Sequence, residues 1–479
     1  MKTGFLIHKL LAAVISLAFL TTLAAAGMNH GSNTVKSSGQ PADREATFSY
    51  DGGYSAETGQ TPSALRSSAG SSRAGADSFA ASQAAASVSP SVSSGYGPGT
   101  GSSAVVSAAL QTSSSPLVAA AAAPPFVHPS KMVVGYYGGW AAYSGFTPDK
   151  ISASNVHIIH YAFAKIRTDL KISINDPSID YTNFEKLKSL KKSYPGLRTV
   201  ISVGGWDDSG RFSDMALTQS SRAAFADSVV RFIKTYGFDG VDIDWEYPTG
   251  GGLASNIFRP ADRTNFGLLL KTLRGRLDAQ GSKDSKHYIL SFAGAANSGY
   301  AAGVGLSGAA QSVDYATIMT YDLHGGWDSF TDFNAPLFLP AGQSPQYKTS
   351  VDSAVRTWLN YGFPAGKLVM GVPFYGYAYQ GVTNSNNGLW QRFSSASAVG
   401  YDSIKSKYLS NASFQKFYDS AAQVPWLFNG SAFISWEDES SVRRKVQYAV
   451  SKNLLGVGAW ELGFDRSGAL IRTVKSTLD

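Results

Sequence analysis

Eleven consecutive residues constrain this chain most: Phe238-Asp239-Gly240-Val241-Asp242-Ile243-Asp244-Trp245-Glu246-Tyr247-Pro248. They read as a β-strand that ends in acid. Side chains alternate faces along a strand, so Asp242, Asp244 and Glu246 point one way and Val241, Ile243 and Trp245 the other. The apolar set needs a core. The acidic set puts three carboxyl groups in a row, about 6–7 Å apart at successive i, i+2 positions. Burying unpaired carboxylates costs several kcal/mol, so such a row serves chemistry rather than packing. Pro248 then ends the ladder and leaves the last acid at the mouth of whatever the strand lines.

The rest of the chain sorts into three parts. Lys2 and Lys9, the apolar run Leu10 to Leu23 and the small residues Ala24-Ala25-Ala26 make residues 1–26 a secretory signal peptide, which predicts a secreted, extracellular protein. The run is shorter than the roughly 20 residues a spanning helix needs, so no stable membrane insertion is expected. Residues 27–127 are rich in Ser, Ala and Gly with little apolar periodicity, and read as a low-complexity disordered spacer. Residues 128–479 are expected to form the folded domain that carries the acidic strand.

In that last part short β-rich runs alternate with helical patterns. The predicted strands are Met132–Tyr137, Val156–Phe163, Thr199–Val203, Gly237–Trp245, Tyr288–Phe292, Tyr315–Met319, Lys367–Val372 and Leu455–Trp460. Helical stretches lie between most of them, among them Ser221–Tyr236, Pro260–Gln280, Ser350–Tyr361 and Glu439–Lys452. Eight such units in about 350 residues predict an α/β fold, a (β/α)8 TIM barrel. A doubly wound open sheet is the alternative. It is disfavoured because polar and aromatic residues close nearly every strand, whereas an open sheet gathers them at one switch point. Between the seventh strand and its helix lie about 65 residues, too many for a structureless loop. A small α+β insertion is expected there, at about 376–435, forming one wall of a cleft.

Composition narrows the chemistry. The formal charge is +7 and the Lys and Arg residues are scattered, which argues against a nucleic-acid partner. There is no cysteine, so disulfides, thiolate metal sites and a cysteine nucleophile are excluded. No His/Asp/Glu cluster has metal-ligand spacing, so neither metal nor cofactor is expected. Strand ends in a barrel build the active site. Here they carry Tyr136 and Trp140, Ser202 to Trp206, the acidic row, Met319 to Asp322, and Trp460. Carboxyls beside Tyr and Trp suit a sugar: aromatic faces stack on pyranose rings, and carboxyls supply acid–base chemistry for the glycosidic bond.

These motifs carry a family resemblance. FDGVDIDWEYP is similar to the DGxDxDWEYP signature of glycoside hydrolase family 18, the chitinases. SVGG at 202–205, MTYD at 319–322, GAWEL at 458–462 and GYYGGW at 135–140 match further family motifs in the family's order. The resemblance runs from about Lys131 to the C-terminus, and the insertion resembles the α+β subdomain of bacterial-type enzymes. It implies that Glu246 is the general acid, that Asp244 orients the substrate's N-acetyl group, and that Asp242 shares a proton with Asp244. It implies that Tyr321 bonds the N-acetyl carbonyl, that Asp322 binds substrate, and that Trp460 forms the floor under the sugar; Met319 faces the barrel interior, as filler or as a substrate contact. Tyr136 and Ser202 match residues bonded to the buried aspartate. Trp140, Trp206 and Trp327 match cleft tryptophans, and Tyr375 resembles a substrate contact at the base of the insertion. The implied partners are chitin and N-acetylglucosamine oligomers, met by a monomer.

The geometry of the row agrees with the mechanism so implied. Ordinary retaining glycosidases set two carboxyls on opposite faces of the sugar, about 5–5.5 Å apart. Acids on one side of one strand do not easily flank the anomeric carbon, so another nucleophile is needed, and the resemblance implies that it is the 2-acetamido oxygen of the substrate. Other residues have plainer readings. Trp245, His157 and His160 are expected to pack, and His324 to be a hydrogen-bonded loop residue. Asp207 and Asp208 read as a solvated turn, and Asp438 and Glu439 as a helix start. Three functions fit: a secreted chitinase, a chitin-binding lectin on the same fold, and an endo-β-N-acetylglucosaminidase. The retained Glu246 argues against the lectin, and the DWEYP ending and the insertion favour chitin.

Overall fold

A computed structural model describes residues 123–342 and 344–479; the expected signal peptide and all but the end of the expected spacer lie outside the described residues. The strands in chain order are β1 (Met132–Gly138), β2 (Ile158–Ile166), the short β3 (Ile172–Ile174), β4 (Arg198–Gly204), β5 (Gly240–Asp244), β6 (Ile289–Ala295), β7 (Tyr315–Met319) and β8 (Leu368–Pro373). They continue with β9 (Tyr375–Gln380), β10 (Ser395–Gly400), β11 (Gln415–Asp419), β12 (Val424–Phe428), β13 (Ala432–Ser435) and β14 (Gly456–Trp460). Strands β1, β2, β4, β5, β6, β7, β8 and β14 pair in parallel, and β1 pairs with both β14 and β2, closing the sheet into the expected barrel. β3 adds to β2 antiparallel at the rim.

Five of the helices on the outside are α1 (Asp180–Ser193), α2 (Gln219–Tyr236), α3 (Asp262–Asp284), α4 (Val351–Asn360) and α5 (Glu439–Ser451). Caps fix their ends. The Asp438 side chain accepts from Ser440 N and Ser441 N, confirming the helix start expected there. β5 begins three residues later than its sequence pattern predicts. The reason is Gly237, which takes φ +75° and terminates α2 in the left-handed conformation.

Strand alternation divides two cores. Val133 and Tyr137 of β1, and Val241 and Ile243 of β5, face the helices. Trp245 joins them, 2% exposed and stacked on Phe212 at 5.2 Å, a contact worth about 0.5–1.5 kcal/mol beyond its buried area. Met132, Val134, Ile158, Val200, Ile289, Tyr315 and Val369 fill the barrel interior from its lower end. Phe126 packs against this cluster from outside, with its ring 6.5 Å from Tyr315 and 5.5 Å from His287. The upper interior is polar instead.

Between β8 and α5 stands the insertion, a five-stranded antiparallel sheet in the order β10-β9-β13-β12-β11. Its own core contains Phe333, Tyr375, Tyr377, Tyr379, Trp426 and Phe433, with Tyr321, Trp327 and Trp460 of the barrel mouth against it. It therefore stands as a wall beside the strand ends. Its junction with the barrel includes a fully buried ion pair, in which Lys445 Nζ on α5 meets Glu437 at 2.6 and 2.8 Å.

Candidate active site

Parallel pairing sets Ser202 of β4 opposite Asp242 of β5, and Asp242 opposite Ser291 of β6. All three point into the barrel and are fully buried. Ser202 donates to Asp242 Oδ2 at 2.7 Å and Ser291 to Oδ1 at 2.6 Å. Tyr136 OH reaches Oδ2 at 3.4 Å, and His160 Nδ1 lies 3.4 Å from the same atom. Burial alone would raise the Asp242 pKa. The attraction of the nearby His160 ring, with the two serine hydroxyls, outweighs it and holds the carboxyl below its ordinary range.

Asp244 is the last residue of β5 and 4% exposed. Its Oδ1 is buried with no hydrogen-bond partner among the described residues. Burial, then the negative charges of Glu246 and Asp242, push its pKa well above the usual carboxylate range. Glu246 lies beyond the ladder and is 5% exposed. Burial first, then Asp322 and Asp207, push it up to about 7. The expected sharing between the aspartates is thus polarised: Asp242 favours the charge and Asp244 the proton. The protonation of Glu246 owes more to desolvation than to its neighbours.

Around this row stand the aromatics. Trp460, at the end of β14, lies 5.6 Å from Tyr136, 6.3 Å from Trp140 and 5.8 Å from Phe163, on which it stacks. Tyr321 follows β7, half-buried, with its ring 6.1 Å edge-on to Tyr375. Burial and the nearby Asp244 raise its phenol, which keeps it a donor. Met319 closes β7, half-buried. Asp322 accepts from Tyr375 OH at 2.5 Å and Tyr377 OH at 2.7 Å, so the insertion grips the barrel rim through this carboxylate. Trp327 stands edge-on to Tyr377 at 5.6 Å.

Three expectations change. Tyr375 is 6% exposed and spends its hydroxyl on Asp322, so it holds a site residue in place. Trp206 is 8% exposed, which leaves little of its face for a ligand. Asp207 is exposed, as expected of a turn, but Asp208 is half-buried and accepts from Asn175 at 2.9 Å. His324 is a hydrogen-bonded loop residue, 3.0 Å from Asp328. His157 packs and accepts from Val133 N at 2.9 Å.

Sequence reasoning missed four participants. His160 packs as expected but also faces Asp242, and Ser291, Phe163 and Tyr377 drew no attention. The usable signal was parity: His160 and Ser291 are polar residues at inward positions of otherwise apolar strands.

The chain belongs to the glycosyl hydrolases family 18, whose pattern it matches over residues 132–465. It is 38% identical over 410 residues to Chitinase A1 of Niallia circulans, a match covering 73% of this chain and 58% of that protein. The chain therefore spans little more than half of that relative. Among solved structures it resembles chitinase ChiA74 from Bacillus thuringiensis, with 32% identity and a TM-score of 0.70, covering 73% of this chain and 70% of that one. It also resembles a family 18 N-acetylglucosaminidase from Paenibacillus barengoltzii, with 34% identity and a TM-score of 0.67, covering 73% of this chain and all of the other.

Proposed function

We propose that this protein is a chitinase that hydrolyses β-1,4-N-acetylglucosamine linkages with retention, using Glu246 as general acid and base. One observation carries the reading. The three acids lie along a single strand end in graded states, with Asp242 held low and Asp244 and Glu246 raised. A protonated Glu246 gives its proton to the glycosidic oxygen as the bond from C1 breaks. The substrate's acetamido oxygen bonds to C1 from the other face, forming an oxazolinium ion. The unpartnered Oδ1 of Asp244 accepts the acetamido N–H, and Tyr321 donates to the acetamido carbonyl. The charge of Asp242, set behind Asp244, offsets the positive ring. Glu246, now a carboxylate, takes a proton from water as the water oxygen bonds to C1 and the acetamido oxygen leaves. Two displacements at C1 give net retention. Trp460 is the floor on which the sugar stacks.

The likeness to both chitinases and an N-acetylglucosaminidase supports N-acetylglucosamine polymers as the substrate. Product analysis on chitin oligomers, beside a glycoprotein with a chitobiose core, tests the reading. Cleavage of the oligomers alone supports a chitinase, release of the glycan an endo-β-N-acetylglucosaminidase, and binding without turnover a lectin. Glu246→Gln is expected to keep oligomer binding and lose nearly all turnover; near-normal turnover would overturn the acid assignment.

We read residues 1–26 as an export signal, 27–127 as a spacer, and the catalytic body as a secreted monomer acting outside the cell. Among the described residues no helix is long and apolar enough to cross a membrane. N-terminal sequencing of the extracellular protein checks the signal, with cleavage expected at Ala24 to Ala26.

A further inference from the structure

Glu246 sits two residues past the end of β5, where no strand ladder holds its backbone. Side chains from two loops hold it instead. Ser209, 1% exposed, accepts from Glu246 N at 2.9 Å. The same hydroxyl donates to Gly205 O at 2.7 Å, with Asp244 O 3.3 Å away. On the other side of the residue, Asn256 Nδ2 donates to Glu246 O at 3.1 Å. Gly252 lies against the same carbonyl: at φ +75°, a Cβ there would fall 2.2 Å from it. The two loops are also tied to each other, since Arg259 donates to Ser213 and Asp214, both at 2.6 Å.

We propose that Ser209 and Asn256 are positioning residues that clamp the N–H and the carbonyl of Glu246, and so aim its carboxyl at the glycosidic oxygen. The proposal rests on the reading of Glu246 as the acid. The clamp bonds go to the backbone of Glu246, and sugar contacts fall to Trp460, Tyr321 and Asp322. Its loss should therefore be felt in turnover rather than in substrate binding. Misplacing a reacting group by about 1 Å costs on the order of 100-fold in rate. The Arg259–Asp214 pair and the backbone bond from Gly205 N to Asp244 O at 2.8 Å survive its removal, so the loops keep their course.

The test compares Ser209→Ala, Asn256→Ala and Asn256→Asp with the parent chain and Glu246→Gln on chitin oligomers, with melting curves to confirm folding. Asn256→Asp keeps the shape of Asn256 and removes its donor. Each clamp variant is expected to lose about 10- to 100-fold in kcat, with KM within about threefold, and to shift the alkaline limb of its pH profile. Asn256→Asp should lose as much as Asn256→Ala. Asn256 is half-buried, so its two variants decide the matter even if Ser209→Ala does not fold. Folded Asn256 variants with unchanged kcat and pH profile would overturn the clamp while leaving an inactive Glu246→Gln, and the acid assignment, intact. Normal turnover in Glu246→Gln would overturn the acid assignment and the clamp together.

Discussion

His160 and Asp242 meet at the centre of the barrel, with Nδ1 of the imidazole 3.4 Å from Oδ2 of the carboxylate. The other ring nitrogen lies 2.5 Å from Tyr315 OH, which locks the ring in place. This contact and the hydroxyls of Ser202 and Ser291 together favour the charged form of a fully buried aspartate beside two further acids.

Replacing His160 with Phe retains ring volume and removes the contact. Burial then dominates and Asp242 rises. Asp242 is depressed in the folded chain, so its stabilising contribution is present above the unfolded pKa and lost as pH falls through the folded one. The variant is expected to lose that contribution, and the acid limb of its kcat/KM profile should move up by about one pH unit or more. An unmoved acid limb would show that Asp242 does not depend on the imidazole.

Glu246 gives the opposite sign. Its folded pKa, about 7, lies above that of an unfolded glutamate, so the folded state holds the proton more tightly. Stability from this group is full below pH of about 4 and falls as pH rises towards about 7. Activity should fall over the same upper range as the acid loses its proton. Glu246→Gln should therefore be more stable than the parent chain at pH 8, by about 3 kcal/mol, and show little difference at pH 4. Melting curves at the two pH values check this.

Asp322 is held by two tyrosines of the insertion. Tyr377→Phe removes the 2.7 Å bond and leaves Tyr375 to hold the carboxylate. A hydrogen bond to a charged group contributes about 1.5–3 kcal/mol. Steady-state kinetics on chitin oligomers should give kcat/KM about tenfold lower, and the melting temperature should fall by a few degrees, since the phenyl ring still packs but the bond is lost.

The Lys445–Glu437 pair is a different case, structural rather than catalytic. Lys445→Met leaves a buried, unpartnered Glu437, at a cost of about 3–5 kcal/mol. Adding Glu437→Gln removes the stranded charge and should recover much of the loss. Denaturant unfolding of the single and double variants measures both effects.

Sequence parity predicted much of this site. Alternation along 241–246 sent the acids and the apolar residues of β5 to opposite faces, as observed for Asp242 against Val241 and Ile243. Strand ends located Tyr321, Asp322 and Trp460. What stayed hidden depends on register and on the third dimension. Ser291 becomes a partner of Asp242 only once β5 and β6 pair at that position. His160 sits in an apolar run and reads as packing until the strands close around it. Tyr375 and Tyr377 turn towards Asp322 because the insertion sheet folds back against the rim, which no spacing within either segment encodes. Ser209 and Asn256 act through hydrogen bonds to main-chain atoms, so their side chains carry no chemical signature of the task.

Phe126 packs against the cluster that holds Met132, Ile158, Ile289 and Tyr315, which begin their strands, whereas the acids stand where β5 finishes. The polypeptide thus enters the catalytic body on the side away from the cleft. The strand ends and the insertion wall therefore face away from the point where residue 123 leads in, and the two ends of the barrel are free to serve different purposes.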